Sequence, residues 1–168
     1  MQTRCKLFKL TPSFVLFFLH LLSRKQVKES ILTAFFRGVP RSLLEEEGAL
    51  FAARQLDQLL RKEAMARLAW HQAQGHRCIL ISASIETYLA PWAKAHGFET
   101  VLCSRLAYDP LGRATGLLEG ENCWGEEKRR RLIAYLGERS GYRLYAYGDS
   151  RGDRELLACA DDPFFNIF

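Results

Sequence analysis

Four side chains in the second half of the sequence are of types that handle phosphate and hard cations: Ser82, Lys128, Asp149 and Asp153. Ser82 ends the apolar run Ile79-Leu80-Ile81 and is followed by Ala83 and Ser84. A hydroxyl there, beside free backbone N–H groups where a helix begins, can donate to an anion. The same small residues also make an ordinary tight turn. Lys128 stands in the first turns of a helix that follows Gly125, in WGEEKRRRL. Its ammonium can offset the charge of a phosphate, or it can belong to a solvated basic face. Arg129, Arg130 and Arg131 are assigned to such a face, because three successive helix residues do not point into one pocket. Asp149 and Asp153 lie four apart in YGDSRGD, on a glycine-containing loop between a strand and a helix. Two carboxylates so placed can converge on one magnesium ion, with water and phosphate oxygens completing its shell. The alternative makes Asp153 a helix N-cap and Asp149 a turn residue.

These groups need elements to hold them. Residues 1 to about 74 read as helices. Phe14, Phe17, Phe18, Leu21 and Leu22 follow one helical face. A second helix is predicted from Ser23 to Phe36, stopped by Gly38 and Pro40. Ser42 is predicted to cap a third, with Glu45 in capping-box spacing. Leu56, Leu60, Ala64 and Leu68 predict a long helix that ends at Gly75. The second half alternates. Arg77–Ser82, Glu99–Cys103 and Arg143–Tyr147 are predicted strands. Glu86–His96, Glu126–Leu136 and Arg154–Cys159 are predicted helices. Ser104 to Cys123 reads as turns and a hairpin excursion. Such alternation predicts an α/β fold with a Rossmann-like, doubly wound parallel sheet. In that fold the chemistry gathers at the carboxyl ends of the strands, where Ser82 and Asp149 stand.

Composition sets the outer limits. The chain has 168 residues, of which 48% are hydrophobic and 26% charged, so disorder and collagen-like structure are excluded. The net charge of +5 admits an anionic partner without selecting one. The five cysteines form no CxxC pair, which argues against a zinc ribbon or a disulfide framework and for reduced thiols in a cytoplasm. Arg4, Lys6 and Lys9 before Phe14–Leu22 imitate a signal peptide. His20 within the stretch, Arg24 and Lys25 directly after it, and the lack of a small-x-small site favour a buried helix instead. A peripheral membrane helix is the remaining alternative, with a lipid phosphate as its partner.

The order of the motifs carries more than any one of them. Strand-Ser in ILISASIETYL, then a helix-borne lysine in NCWGEEKRRRL, then GDxxxD in YAYGDSRGDRELLACADDPF resembles motifs II, III and IV of the haloacid dehalogenase superfamily. The wording is closest to its phosphoserine-phosphatase-like members, which carry a small helical cap between motifs I and II. The resemblance implies a cap remnant over residues 1–48 and a core over residues 49–168. It implies a magnesium-dependent phosphomonoester hydrolase acting through an aspartyl-phosphate on a small phosphorylated molecule, not on nucleic acid. Ser82 and Ala83 would bind the substrate phosphate, and Lys128 would neutralise the phosphoryl group. Asp149 would hold magnesium, and Asp153 would bind the ion or orient its shell.

One part of that pattern is absent. The superfamily's nucleophile lies in a D-x-D sequence after the first strand. The six aspartates here are at 57, 109, 149, 153, 161 and 162, and no two are separated by one residue. The chain is therefore expected to be a truncated form, without the first strand and nucleophile, and inactive or impaired as a phosphatase. A non-catalytic protein that keeps the phosphate and metal pocket is the alternative.

Overall fold

The computed structural model describes residues 22–137 and 141–168. The expected helical face at Phe14, Phe17, Phe18 and Leu21 lies outside the described residues. The first described helix, α1, is Arg24–Phe36. Ser23 caps it reciprocally: its Oγ accepts from Gln26 N at 3.2 Å, and Gln26 Oε1 accepts from Ser23 N at 2.7 Å. Helix α2 is Arg41–Arg54 and runs through residue 48 without a break. It starts two residues earlier than Ser42 would set it, because Pro40 takes the N-cap position with φ −59° and ψ 141°. Ser42 is therefore inside the helix, and Glu45 accepts from Arg41 Nε at 2.7 Å instead of completing a capping box.

The long helix expected across Leu56–Leu68 is interrupted. Leu56–Leu59 forms a 3-10 turn, and helix α3 starts afresh as Lys62–Ala73. The break lets Leu56 and Leu60 pack on the buried cluster of Ala52, Trp92 and Ala93. It also lets Asp57 Oδ1 accept the Trp92 indole N–H at 2.8 Å.

Strand β1, Ile79–Ile85, leads into helix α4, Glu86–Ala95, and then strand β2, Thr100–Tyr108. The two strands pair in parallel, Ile79 opposite Thr100 and Ser82 opposite Cys103. Strand β2 continues past Cys103 into an antiparallel hairpin with β3, Ala114–Glu119. Helix α5 is Glu126–Leu136. Strand β4, Tyr145–Gly148, precedes a 3-10 turn, the one-turn helix α6, Arg154–Leu157, and strand β5, Asp162–Phe165. Strands β4 and β5 pair in parallel. The α/β class read from the alternation is thus the class of the fold.

The strands fall into two sheets, β1-β2-β3 and β4-β5. Among the described residues β1 pairs only with β2, and β4 only with β5. Helix α1 lies on the hairpin around a core of Leu32, Leu106, Ala114 and Leu118. Its Glu29 accepts the Leu118 N–H at 3.0 Å, which fixes the helix lengthwise. Among the described residues no helix is long and apolar enough to cross a membrane.

Candidate functional site

The site is built where β1 and β4 end. Helix α5 begins at Glu126, and its third residue, Lys128, is only 8% exposed. The Lys128 Nζ donates to Asp153 Oδ1 at 2.5 Å and lies 3.5 Å from the Ile81 carbonyl oxygen. This one ammonium therefore joins the β1 end to the β4 loop. Asp153 is 5% exposed, and its Oδ2 accepts from Ser150 N at 3.0 Å and Ser150 Oγ at 2.6 Å. Burial pushes the Asp153 carboxyl up, but the hydrogen bonds from Lys128 and Ser150 outweigh it and hold the group below the ordinary aspartate value. Asp153 is thus not a side-chain N-cap for the helix that follows: as the N3 residue of the 3-10 turn its Oδ2 completes a capping box with Ser150, while Oδ1 faces the lysine. Gly148 makes room for this. A Cβ there would stand 2.4 Å from the Asp153 Cβ, so any larger residue at the strand end would push the carboxylate away.

Ser82 is the last residue of β1 in regular register with β2, and its Oγ accepts the Ser84 N–H at 3.1 Å. The small residues after it form no tight turn, since the strand runs on to Ile85, and the hydroxyl hydrogen is left for another acceptor. The Ala83 carbonyl accepts from Lys28 Nζ, which also donates to Asn122 Oδ1 at 3.0 Å. Asn122 is held in turn by the Ser104 hydroxyl at 3.0 Å, and Ser104 is fully buried. Lys28 is a residue that the motifs did not point to. Its signal is positional: it lies four residues before the buried Leu32 and eight before Phe36, on the stripe of α1 that faces inward.

Asp149 stands apart. Its side chain is 56% exposed, and Oδ2 lies 3.3 Å from an Arg61 guanidinium nitrogen. The structure thus brings Lys128, Asp153 and the Ile81–Ala83 strand end together, with Asp149 at the rim. The three arginines also separate. Arg129 and Arg130 keep to the exposed face, pairing with Glu126 and Glu127. Arg131, 17% exposed, turns inward and donates to the Cys103 carbonyl and, at 2.8 Å, to the Glu121 carbonyl. The assignment of all three to a solvated face therefore fails at Arg131, because α5 rotates it onto β2.

The donor set sets what could be held here. Among the described residues no group of three His, Cys, Asp or Glu side chains could hold a metal. One accessible carboxylate, Asp149, faces out, and the second is engaged by Lys128 and Ser150. That fits magnesium in its usual protein setting, where one or two carboxylates suffice and phosphate oxygens and water fill the octahedron.

A parallel-stranded α/β fold with a buried lysine and a GDxxxD loop near its strand ends is an arrangement found among hydrolases of Rossmann-like fold. The sequence pattern of the haloacid dehalogenase-like hydrolases matches residues 2–158, and the chain belongs to that family. It is 32% identical over 161 residues to Protein CicA of Caulobacter vibrioides, covering 95% of this chain and 71% of that protein. Its fold is similar to that of a protein of unknown function from Bordetella pertussis Tohama I, with a TM-score of 0.70 and 26% identity over 86% of this chain. It is also similar to a probable phosphoserine phosphatase from Vibrio cholerae, with a TM-score of 0.67 and 15% identity over 90% of this chain. The chain spans 66% of the length of the first of these structures and 45% of the second.

Proposed function

We propose that the site binds the phosphoryl group of a small phosphomonoester. The single observation that carries this reading is the buried Lys128 ammonium at the meeting point of the two parallel-strand ends. It has one carboxylate partner and one distant carbonyl, so one of its three N–H donors is left for an anion. Ser82 would add its hydroxyl hydrogen, and Ala83 its backbone. Asp149 would be the carboxylate that holds magnesium, and Asp153 would position Lys128 and orient the metal's water shell. The ion, when bound, would offset the charge of the phosphoryl oxygens. Free thiols at Cys78, Cys103 and Cys123 support a reducing, cytoplasmic setting.

Turnover through an aspartyl-phosphate needs an attacking carboxylate, and this sequence holds no D-x-D. We therefore propose binding without appreciable hydrolysis for this chain. The separation of β1 from β4 supports that reading: among the described residues β1 pairs only with β2 and β4 only with β5. The test has two arms. Calorimetry with inorganic phosphate and magnesium is expected to show binding that Lys128→Met removes. Turnover of p-nitrophenyl phosphate is expected to stay at background. Robust turnover that Asp149→Asn abolishes would overturn the inactivity, and no phosphate binding would overturn the site.

A further inference from the structure

The Lys128–Asp153 contact joins two elements that must first be set against each other, helix α5 and the loop after β4. They meet at Trp124 and Gly152. The Gly125 N–H, just before α5, donates to the Gly152 carbonyl at 3.0 Å. Gly152 is buried in the 3-10 turn Arg151–Asp153. The Trp124 indole lies against it: a Cβ built on Gly152 would stand 2.5 Å from Trp124 Cδ1 and closer still to Nε1. Real atoms do not approach so closely, so the indole sits where a side chain would be. Lys128 follows Gly125 by three residues, and Asp153 follows Gly152 directly.

The glycine at 152 serves space alone. It is not among the glycines with positive φ, so its backbone conformation is open to any residue, and only the indole excludes a side chain there. Gly125 differs: its φ of +62° and ψ of −131° turn the chain from Trp124 into α5, and only glycine adopts them readily. The indole face is held as well. Arg151, in the same turn as Gly152, places its Cζ 5.9 Å from the Trp124 ring centroid, and Arg24 of α1 places its own at 4.5 Å. Both are within cation–π range. A close-packed contact transmits displacement, so a shift of the indole moves Gly152 and, with it, the Asp153 carboxylate.

We propose that Trp124 is a positioning residue of the phosphoryl site: its indole, seated on Gly152, sets the Asp153 carboxylate where it holds the Lys128 ammonium toward the anion. Trp124 acts through Gly152 and Asp153, not by touching the phosphoryl group. This rests on the phosphoryl-site reading above and adds to it the residue that fixes the spacing of the pair. A tryptophan that only filled space would change the stability of the chain and leave the affinity of the folded site alone.

Calorimetry of the full chain with inorganic phosphate, run well below each variant's unfolding midpoint, separates these cases. Gly152→Ala puts a methyl group against the indole and is expected to weaken phosphate binding about tenfold, which corresponds to about 1.4 kcal/mol. Trp124→Leu removes the support and is expected to weaken it about fivefold, but the double variant, in which leucine makes room for the methyl, is expected to bind within about threefold of the wild type. Gly137→Ala strains the far end of α5, at φ +74° in open space, and is expected to lower the unfolding midpoint with no change in affinity. Trypsin reads the loop directly. In Trp124→Leu the Arg151–Gly152 bond is expected to be cut faster than in the wild type, and phosphate is expected to slow the cut. Unchanged affinity and unchanged cleavage in Trp124→Leu, or a double variant whose loss is the product of the two single losses, would overturn the role of Trp124 and leave the phosphoryl site standing. Failure of the wild type to bind phosphate would overturn both.

Discussion

Replacing Asp153 by asparagine removes one charge from the most buried ion pair described here and tests whether that pair closes the site. The side chains of Lys128 and Asp153 are 10% and 7% exposed, so water does little to screen the change. The carboxylate serves two partners with two acceptor oxygens, Lys128 on Oδ1 and Ser150 on Oδ2. An amide has one acceptor and one donor, so either orientation faces a donor with a donor. With the amide nitrogen turned toward it, Lys128 would keep a single carbonyl at 3.5 Å; with the oxygen turned toward it, the Ser150 N–H would lose its acceptor instead. Removing one partner of a buried pair costs about 3–5 kcal/mol. For a chain of this length each kcal/mol shifts the midpoint by about 2–4 °C, so thermal unfolding at pH 7 is expected to fall by about 6–20 °C. The double variant Lys128→Met/Asp153→Leu is expected to recover most of the loss, since apolar groups of similar volume often replace a buried pair at no cost. Inorganic phosphate is expected to raise the midpoint of Asp153→Asn more than that of the wild type, because it gives Lys128 a new acceptor. A loss below about 1 kcal/mol, the range of exposed pairs, with no recovery in the double variant, would refute the reasoning.

Three further outcomes follow from the same geometry. His71 lies between His76 Nδ1 and the Tyr147 hydroxyl, both at 2.8 Å, and burial and then the neighbouring His76 and Arg67 push its pKa below the ordinary histidine value. The unfolded chain then takes up the proton first, so stability is expected to fall as pH drops below about 6.5, and urea titrations of His71→Gln are expected to show a flatter slope. Cys103, whose thiol burial pushes up to about 12, and the buried Cys123 are expected to resist alkylation in the native chain at pH 8 and to react fully in urea, as read by peptide mass spectrometry. Gly116 has φ +86°, and a Cβ there would stand 2.4 Å from the Thr33 Cα, so Gly116→Ala is expected to cost about 2–6 kcal/mol in urea unfolding. Gly112→Ala, at φ +70° with open space around it, is expected to cost only the backbone part.

The alternation of apolar runs with helical periods was enough to place β1, α4 and α5, because α4 buries Leu89, Trp92 and Ala93 on one face and β1 is half-buried along its whole length. Helix α5 falls where its apolar and glycine boundaries put it, at Glu126–Leu136. Strand β5 was not legible: Asp162-Pro163-Phe164-Phe165 contains a proline, and only an edge position tolerates one. The break at Leu56–Leu59 was hidden as well, since its cause is a hydrogen bond to Trp92, 35 residues away. Within the site, Lys128 and Asp153 stood out by motif spacing. Lys28 did not, because its two partners lie 55 and 94 residues downstream and no local pattern connects them. The inward turn of Arg131 has the same origin, a carbonyl on β2 that the helix sequence does not reveal.

The division of the strands into two sheets bears on how the chain folds. Every strand pairing among the described residues joins near neighbours in sequence: Ile79 with Thr100, Arg105 with Glu119, Tyr145 with Asp162. Such pairings close short loops, which is the condition for rapid formation. Among the described residues no backbone ladder links one sheet to the other. Each sheet can therefore nucleate by itself, and their docking waits on side chains, with Lys128 and Asp153 at the join. The late step in folding and the anion-binding group would then be the same pair of residues, so phosphate in a refolding buffer should act on the docking phase and leave the two earlier phases unchanged.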